Sequence, residues 1–293
     1  MDNLINRKYK INETIGNGKF GIVYKGSNVR TGEIVAIKTE SYENPYKLMR
    51  RETSILNYLH QKKVEKIPSI YWYGKFMDQI CLVMSHYTHD LHTFVTLRNP
   101  DIGTINTIMI SCIEVLESVH NAGVIHRDIK PQNFMIKNNE LYLIDFGLAL
   151  FYRDEDGNHI DKSNQDTMTG TPKYVSYFNH CGEPNSRRDD LISLGYMYLF
   201  ICAGKLPWDN IAVQCENTNE LLLEHPKNVI RRNMKNIMYL REHESDNVCC
   251  MSFLELCFNL SFDTHPDYEE LCDCFDLDSD SESESDSGES CSS

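Results

Sequence analysis

The residues best equipped for chemistry form one string, His126-Arg127-Asp128-Ile129-Lys130-Pro131-Gln132-Asn133, and Asp145-Phe146-Gly147 follows it. Asp128 and Asn133 lie five residues apart across Pro131, so the spacing predicts a loop rather than a turn of helix. Residues 134–136 and 141–144 are apolar and flank Asn138-Asn139, a pattern that predicts a tight hairpin. That hairpin would carry Asp145 back towards Asp128 and Asn133. Three carboxylate or amide side chains converging on one site, one of them beside a lysine, are what metal-assisted phosphoryl transfer requires. A lone His-Arg-Asp means little, but the whole string in this order is highly specific.

The elements that must position this string are legible on both sides of it. Upstream, Ile15-Gly16-Asn17-Gly18-Lys19-Phe20-Gly21-Ile22-Val23 carries a glycine pattern shared with dinucleotide-binding loops. A dinucleotide fold would place a helix directly after the glycines. Here Val23-Tyr24-Lys25-Gly26 and Glu33-Ile34-Val35-Ala36-Ile37-Lys38 follow, and both are strand-like. Residues 9–38 therefore predict three short strands, the glycines forming a β-hairpin lid whose backbone amides can approach phosphate. Alternation puts Ile34, Ala36 and Lys38 on one face, where the small Ala36 leaves room for a ligand ring. Asn44-Pro45 reads as a helix start, after which Leu48, Glu52, Ile55 and Leu59 share one stripe. A carboxylate in a core-facing stripe is costly unless a cation meets it. Lys38 is the expected partner of Glu52, and the pair would aim the lysine at phosphates.

Residues 67–73 and 80–84 read as two further strands, with Pro68 placing the first at an edge. Residues 104–122 predict a long amphipathic helix that delivers the chain to Asp128 and ends at Gly123. Residues 154–169 have the composition of an exposed loop, and the remainder to residue 275 is helical in pattern. His86, His89 and His92 are spaced three apart but straddle a strand-to-helix junction, so they read as solvated rather than metal-binding.

Composition narrows the class. At 41% apolar and 25% charged the chain is of ordinary globular type, which excludes fibrous and wholly disordered classes. No stretch matches the roughly 18 uninterrupted apolar residues of a membrane span, and residues 191–203 read as a buried helix. The N-terminus lacks a basic and then apolar leader, so the chain is expected to stay inside a cell. Its eleven cysteines are scattered and odd in number, which predicts reduced thiols. No basic stripe interleaves with aromatics, so a nucleic-acid partner is not expected. Seven acids and no base after residue 275 account for half of the net charge of −14.

Together these residues resemble a eukaryotic-type protein kinase over residues 9–275, and within it the casein kinase 1 family. That family lacks an Ala-Pro-Glu motif, as this chain does. Gly170-Thr171-Pro172-Lys173-Tyr174-Val175-Ser176, Ser186-Arg187-Arg188-Asp189-Asp190-Leu191, Leu206-Pro207-Trp208 and Pro266-Asp267-Tyr268 resemble its own signatures. The resemblance implies an α+β bilobal protein kinase fold. A small antiparallel-sheet N-lobe with one main helix (1–86) would precede a mainly helical C-lobe (87–275) and a Ser-rich acidic disordered tail (276–293). It also implies an ATP- and Mg2+-dependent serine/threonine kinase that acts on protein substrates as a monomer in the cytoplasm. Ile15 to Val23 and Ala36 would enclose the nucleotide, with Gly16, Gly18 and Gly21 over its phosphates and Lys38, held by Glu52, touching them. Asp128 would accept the substrate hydroxyl proton, Lys130 would stabilise the transferring phosphoryl group, and Asn133 and Asp145 would hold magnesium. Met84 would back the adenine pocket, residues 85–87 would be the hinge, Asp190 would brace the catalytic loop, and Thr171 would contact Asp128 or Lys130.

The chain departs from the family in three places. Ser85 stands where Glu is frequent, Lys173 where Arg is typical, and Cys215-Glu216-Asn217-Thr218-Asn219-Glu220 where relatives carry a Lys/Arg cluster. These changes weaken the expectation of a preference for primed or acidic substrates, and of nuclear entry. Abundant Asn and Ile would suit an AT-rich genome, such as that of a large DNA virus, with the host cell then as the site of action. Ser281, Ser283, Ser285 and Ser287 sit among acids and are expected autophosphorylation sites. The alternative of a different class is a pseudokinase scaffold. Its usual sign is the loss of Lys38, Asp128, Asn133 or Asp145, and all four are present.

Overall fold

Strands β1 (Tyr9–Gly18), β2 (Gly21–Asn28) and β3 (Ile34–Ser41) run antiparallel in sequence, as the glycine and strand patterns predict. Helix α1 (Leu48–Gln61) follows, and then β4 (Ile70–Phe76) and β5 (Gln79–Ser85) complete a five-stranded sheet in the order β1-β2-β3-β5-β4. The computed structural model describes residues 4–18, 21–43, 48–154, 156–163, 165–213, 219–244 and 246–276. Lys19, Phe20, the Asn44-Pro45 helix start, Cys215-Glu216-Asn217-Thr218 and the tail from residue 277 lie outside them.

Alternation along β3 sends Val35 and Ile37 into a small core with Ile5, Tyr9, Cys81 and Val83, which leaves Ala36 and Lys38 on the opposite face. The first described turn of α1 is capped from β3, since the Met49 N–H donates to Glu40 Oε2 at 2.9 Å. Ile55, Leu56 and Leu59 of α1 join the large core of the helical part rather than the sheet's own cluster. The strand expected at residues 67–73 begins only at Ile70; Pro68 lies before it, and β4 is indeed an edge strand.

The helical part begins with β6 (His89–Asp90), α2 (Leu91–Arg98) and α3 (Ile102–Asn121). Helix α3 starts two residues before the expected position because Asp101 caps it, accepting from the Thr104 N–H at 2.7 Å. By length and composition α3 could cross a membrane. Here its apolar face, including Met109, Cys112, Ile113 and Leu116, lies in the core. Short strands β7 (Val124–Ile125), β8 (Phe134–Lys137), β9 (Glu140–Leu143) and β10 (Leu150–Phe151) frame the chemical string. Asn138 and Asn139 both take positive φ, 53° and 62°, the geometry of a two-residue turn that matches strand twist.

Beyond them come α4 (Tyr177–His180), α5 (Arg187–Ala203), α6 (Pro226–Met234), α7 (Ile237–His243), α8 (Val248–Asn259) and α9 (Tyr268–Asp273). Helix α5 is buried on nearly every face, as its apolar run over residues 191–203, interrupted only by Ser193 and Gly195, predicts, and is opened by a Ser186–Asp189 capping box. It crosses α8 so closely that a Cβ on Gly195 would stand 2.5 Å from Leu254 Cδ2. His89 is exposed as expected, whereas His92 is only partly solvated, its ring stacking on Phe200 with centroids 5.8 Å apart.

Candidate active site

The loop between β7 and β8 is built around Asp190 of α5. Its carboxylate is buried and accepts from the backbone N–H of His126 at 2.6 Å and of Arg127 at 2.8 Å. This holds Arg127 at φ 68°, a left-handed conformation unusual for a side-chain-bearing residue. His126 is pinned as well, with Nε2 donating to the Ile144 carbonyl at 2.9 Å and Nδ1 accepting from the Asp128 N–H at 3.3 Å. The loop is not wholly irregular, because Pro131–Asn133 makes a single 3-10 turn with Pro at its start.

That scaffold gathers the predicted residues. Asp128 Oδ1 accepts from the Thr171 hydroxyl at 2.7 Å, and Oδ2 accepts from Lys130 Nζ at 2.6 Å and Asn133 Nδ2 at 3.2 Å. Lys130 Nζ also reaches Thr171 Oγ1 at 3.3 Å, so Thr171 contacts both residues. The hairpin returns Asp145 to the same cleft, where its Oδ1 accepts from Lys38 Nζ at 2.8 Å. Lys38 meets Glu52 Oε2 at 2.7 Å, and Glu52 is 1% exposed, as the stripe argument requires. Burial works against the charge on Lys38, but Glu52 and Asp145 more than offset it and hold its pKa above the ordinary lysine value. Burial likewise opposes ionisation of Asp145, yet Lys38 outweighs it and keeps the carboxyl below its ordinary value.

A cleft of about 580 Å³ runs from this cluster beneath the glycine hairpin. Ile15, Gly16, Asn17, Gly21, Val23, Ala36 and Met84 line it, together with Lys38, Glu52, Lys130, Asn133 and Asp145. The fold itself demands Gly21: its φ is 141°, and a Cβ there would lie 1.9 Å from the Thr39 carbonyl oxygen. Gly16 is different, since a Cβ there would meet nothing closer than Val23 at 3.6 Å. Packing therefore does not demand glycine at this position. The hinge residues Ser85, His86 and Tyr87 line the cleft as expected, whereas the sequence reading missed Pro68, Gln132, Met135 and Ile144, which also line it. Met135 carried a usable signal: Phe134 is buried at 0%, so its neighbour on β8 must face the other way. A larger cavity of about 870 Å³ lies elsewhere, around Ile11, Phe76 and Met77, and no member of the Asp128 string lines it.

The donor set suits a hard divalent cation. Asn133 turns its amide nitrogen to Asp128, donating to the backbone carbonyl at 2.8 Å, which leaves Oδ1 to face the cleft. Asp145 offers its second carboxylate oxygen in the same way. Among the described residues no cluster of three His, Cys, Asp or Glu side chains could hold a metal. Asn133 and Asp145 would give magnesium two protein oxygens, and phosphate and water would complete its shell.

Two histidines make the surrounding network sensitive to pH. His120 is fully buried, with Nε2 3.0 Å from Asp190 Oδ2 and Nδ1 2.7 Å from the Tyr268 hydroxyl. Burial lowers its pKa, partly countered by Asp190, and burial together with Lys235 lowers that of His180 further. Both are depressed histidines, so the unfolded chain takes up protons near the ordinary value of 6.5 while the folded chain does not. Stability is therefore fully present above that value and is lost as pH falls below it, by up to about 1.4 kcal/mol per pH unit for each. Asp189, pushed up to about 6 by burial, acts in the opposite direction, so variants must be compared with wild type. Urea unfolding between about pH 7.5 and about pH 5.5 should show a slope shallower by about half a proton on average in His180→Gln, approaching one proton at the acid end. Equal slopes would refute the assignment.

With this geometry in place, the family model described as "Protein kinase domain" matches residues 9–273.

Proposed function

The chain belongs to the protein kinase domain family, and from that premise we propose that it is a protein serine/threonine kinase of casein kinase 1-like type. The observation that carries this reading is the Asp128–Lys130–Thr171 cluster, closed by bonds of 2.6, 2.7 and 3.3 Å at the mouth of the nucleotide cleft. Asp128 accepts the proton of the acceptor hydroxyl and orients its oxygen. Lys130 stabilises charge on the transferring group. Lys38, aimed by Glu52, binds the nucleotide phosphates, with the backbone at Gly16, Gly18 and Gly21 above them. Ala36 and Met84 enclose the base. Asn133 and Asp145 would hold magnesium, which would supply charge neutralisation at the phosphates.

The lobe boundary falls near residue 86, after β5. The casein kinase 1-like part of the reading rests on the 170–176 and 186–191 strings, which take the place of an Ala-Pro-Glu motif. Lys173 does not present a free cation: its Nζ pairs with Asp209 at 2.8 Å and lies 3.9 Å from the Phe200 ring centroid. This supports a kinase that accepts unprimed hydroxyls. The test is transfer from γ-labelled ATP to matched Ser, Thr and Tyr peptides. Label is expected on Ser and Thr but not on Tyr. ATP binding with label on none would favour the scaffold reading.

A further inference from the structure

Lys235 is 0% exposed in the joint between α6 and α7. Its Nζ donates to the carbonyl oxygens of Val175 at 2.6 Å and Pro172 at 2.9 Å, and lies 3.1 Å from His180 Nε2. The rings of Tyr196 and Trp208 face it, each centroid 5.1 Å away. Among the described residues no carboxylate pairs with it, and Asp209 is engaged by Lys173 and by the Leu206 N–H. Burial pushes the Lys235 pKa well down, and Arg231 adds repulsion.

The hydrogen bonds around it form a consistent set. Buried His180 Nδ1 has no partner. A bare acceptor is tolerated better than an orphaned N–H, which favours the tautomer with the proton on Nε2. Nε2–H then donates to a neutral Lys235 amine, whose own two hydrogens serve Pro172 and Val175. In the protonated form the three donors would meet Pro172, Val175 and His180 Nε2, at the cost of an Nδ1–H without a partner. The two carbonyls are satisfied either way.

Those carbonyls belong to the turn that presents Thr171. The Thr171 carbonyl accepts from the Tyr174 N–H at 2.8 Å and the Val175 N–H at 3.0 Å, and the Lys173 carbonyl accepts from Trp208 Nε1 at 2.7 Å. The Lys235 carbonyl in turn accepts from the Tyr196 hydroxyl at 2.9 Å, so α5 clamps the residue that clamps the turn. We propose that Lys235 is a positioning residue for the acceptor polypeptide. Through the Pro172 and Val175 carbonyls it fixes the 171–176 turn that sets Thr171 against Asp128 and carries the peptide. This rests on the protein kinase reading above and adds a residue about sixty positions from the segment it orders.

The test is steady-state transfer to a Ser peptide by wild type, Lys235→Met, Thr171→Ala and the double variant. Lys235→Met should raise KM for peptide about tenfold and leave KM for ATP within about twofold. In kcat the double variant should be no worse than Thr171→Ala, because both act through one hydroxyl. Lys235→Gln, which keeps two donors, should recover part of the peptide KM. A KM for ATP that rises in step with that for peptide, or kcat losses that multiply, would overturn the role. Should Lys235→Met not fold, His180→Phe replaces it in the cycle with the same signature expected at smaller size. No transfer by wild type would defeat the kinase reading and the proposal together, whereas normal wild-type transfer with unchanged peptide KM in the variants would defeat the Lys235 role alone.

Discussion

Asp128→Asn should lower phosphate transfer by about 10²- to 10⁴-fold, the usual contribution of a positioned acid or base, while the melting temperature stays close to wild type. The fold can absorb the change because of where the donors lie. Lys130 Nζ and Asn133 Nδ2 both aim at Oδ2, so an asparagine would turn its single amide oxygen towards them. Its NH2 would then face Thr171 Oγ1, a hydroxyl that can rotate from donor to acceptor. No buried donor is left opposing another. The loss is therefore one of chemistry: an amide cannot take the hydroxyl proton. The measurement pairs labelled-phosphate transfer with thermal unfolding and nucleotide affinity. Transfer within about tenfold of wild type would remove Asp128 from its role.

How much of this site could be read before the fold was seen depends on the range of each interaction. The Asp128–Asn133 spacing and the Asn138-Asn139 turn are local, and they place Asp145 correctly because a two-residue hairpin has little freedom. Glu52 was legible for an energetic reason: an acid in an apolar stripe must find a cation, and Lys38 was the lysine on the facing strand. Thr171 reached the site only by resemblance, since nothing local joins it to Asp128 across 43 residues. Lys235 was not legible at all. It stands in Arg231-Arg232-Asn233-Met234-Lys235-Asn236, a string that reads as solvated surface, and only the tertiary packing of α5 and the 171–176 turn encloses it. Lys173 was placed by resemblance alone, as a departure that weakens a preference for primed substrates, and Asp209, directly after Leu206-Pro207-Trp208, meets it in the fold.

Lys38→Met should cost activity and stability together, and a second substitution should separate the two. Without Lys38 the Glu52 carboxylate stays 1% exposed with no cation, and its Oε1 already lacks a partner. Removing one member of a buried pair costs about 3–5 kcal/mol where the remaining group stays charged. Burial raises the Glu52 pKa above 4.5 even with Lys38 present, so in the variant the folded protein holds a proton that the unfolded chain releases. The penalty is therefore largest at neutral and higher pH and fades as pH falls towards the unfolded value. Lys38→Met/Glu52→Leu replaces the pair with apolar groups and should regain most of the lost stability. Transfer should remain about 10²- to 10³-fold down in both variants, because no ammonium meets the nucleotide phosphates. Denaturant unfolding at about pH 5 and about pH 8, with transfer assays on the same samples, decides the matter. A single variant as stable as wild type at the higher pH would mean that Glu52 is stabilised by something other than Lys38. A double variant that recovered transfer along with stability would mean that the lysine serves packing rather than phosphate.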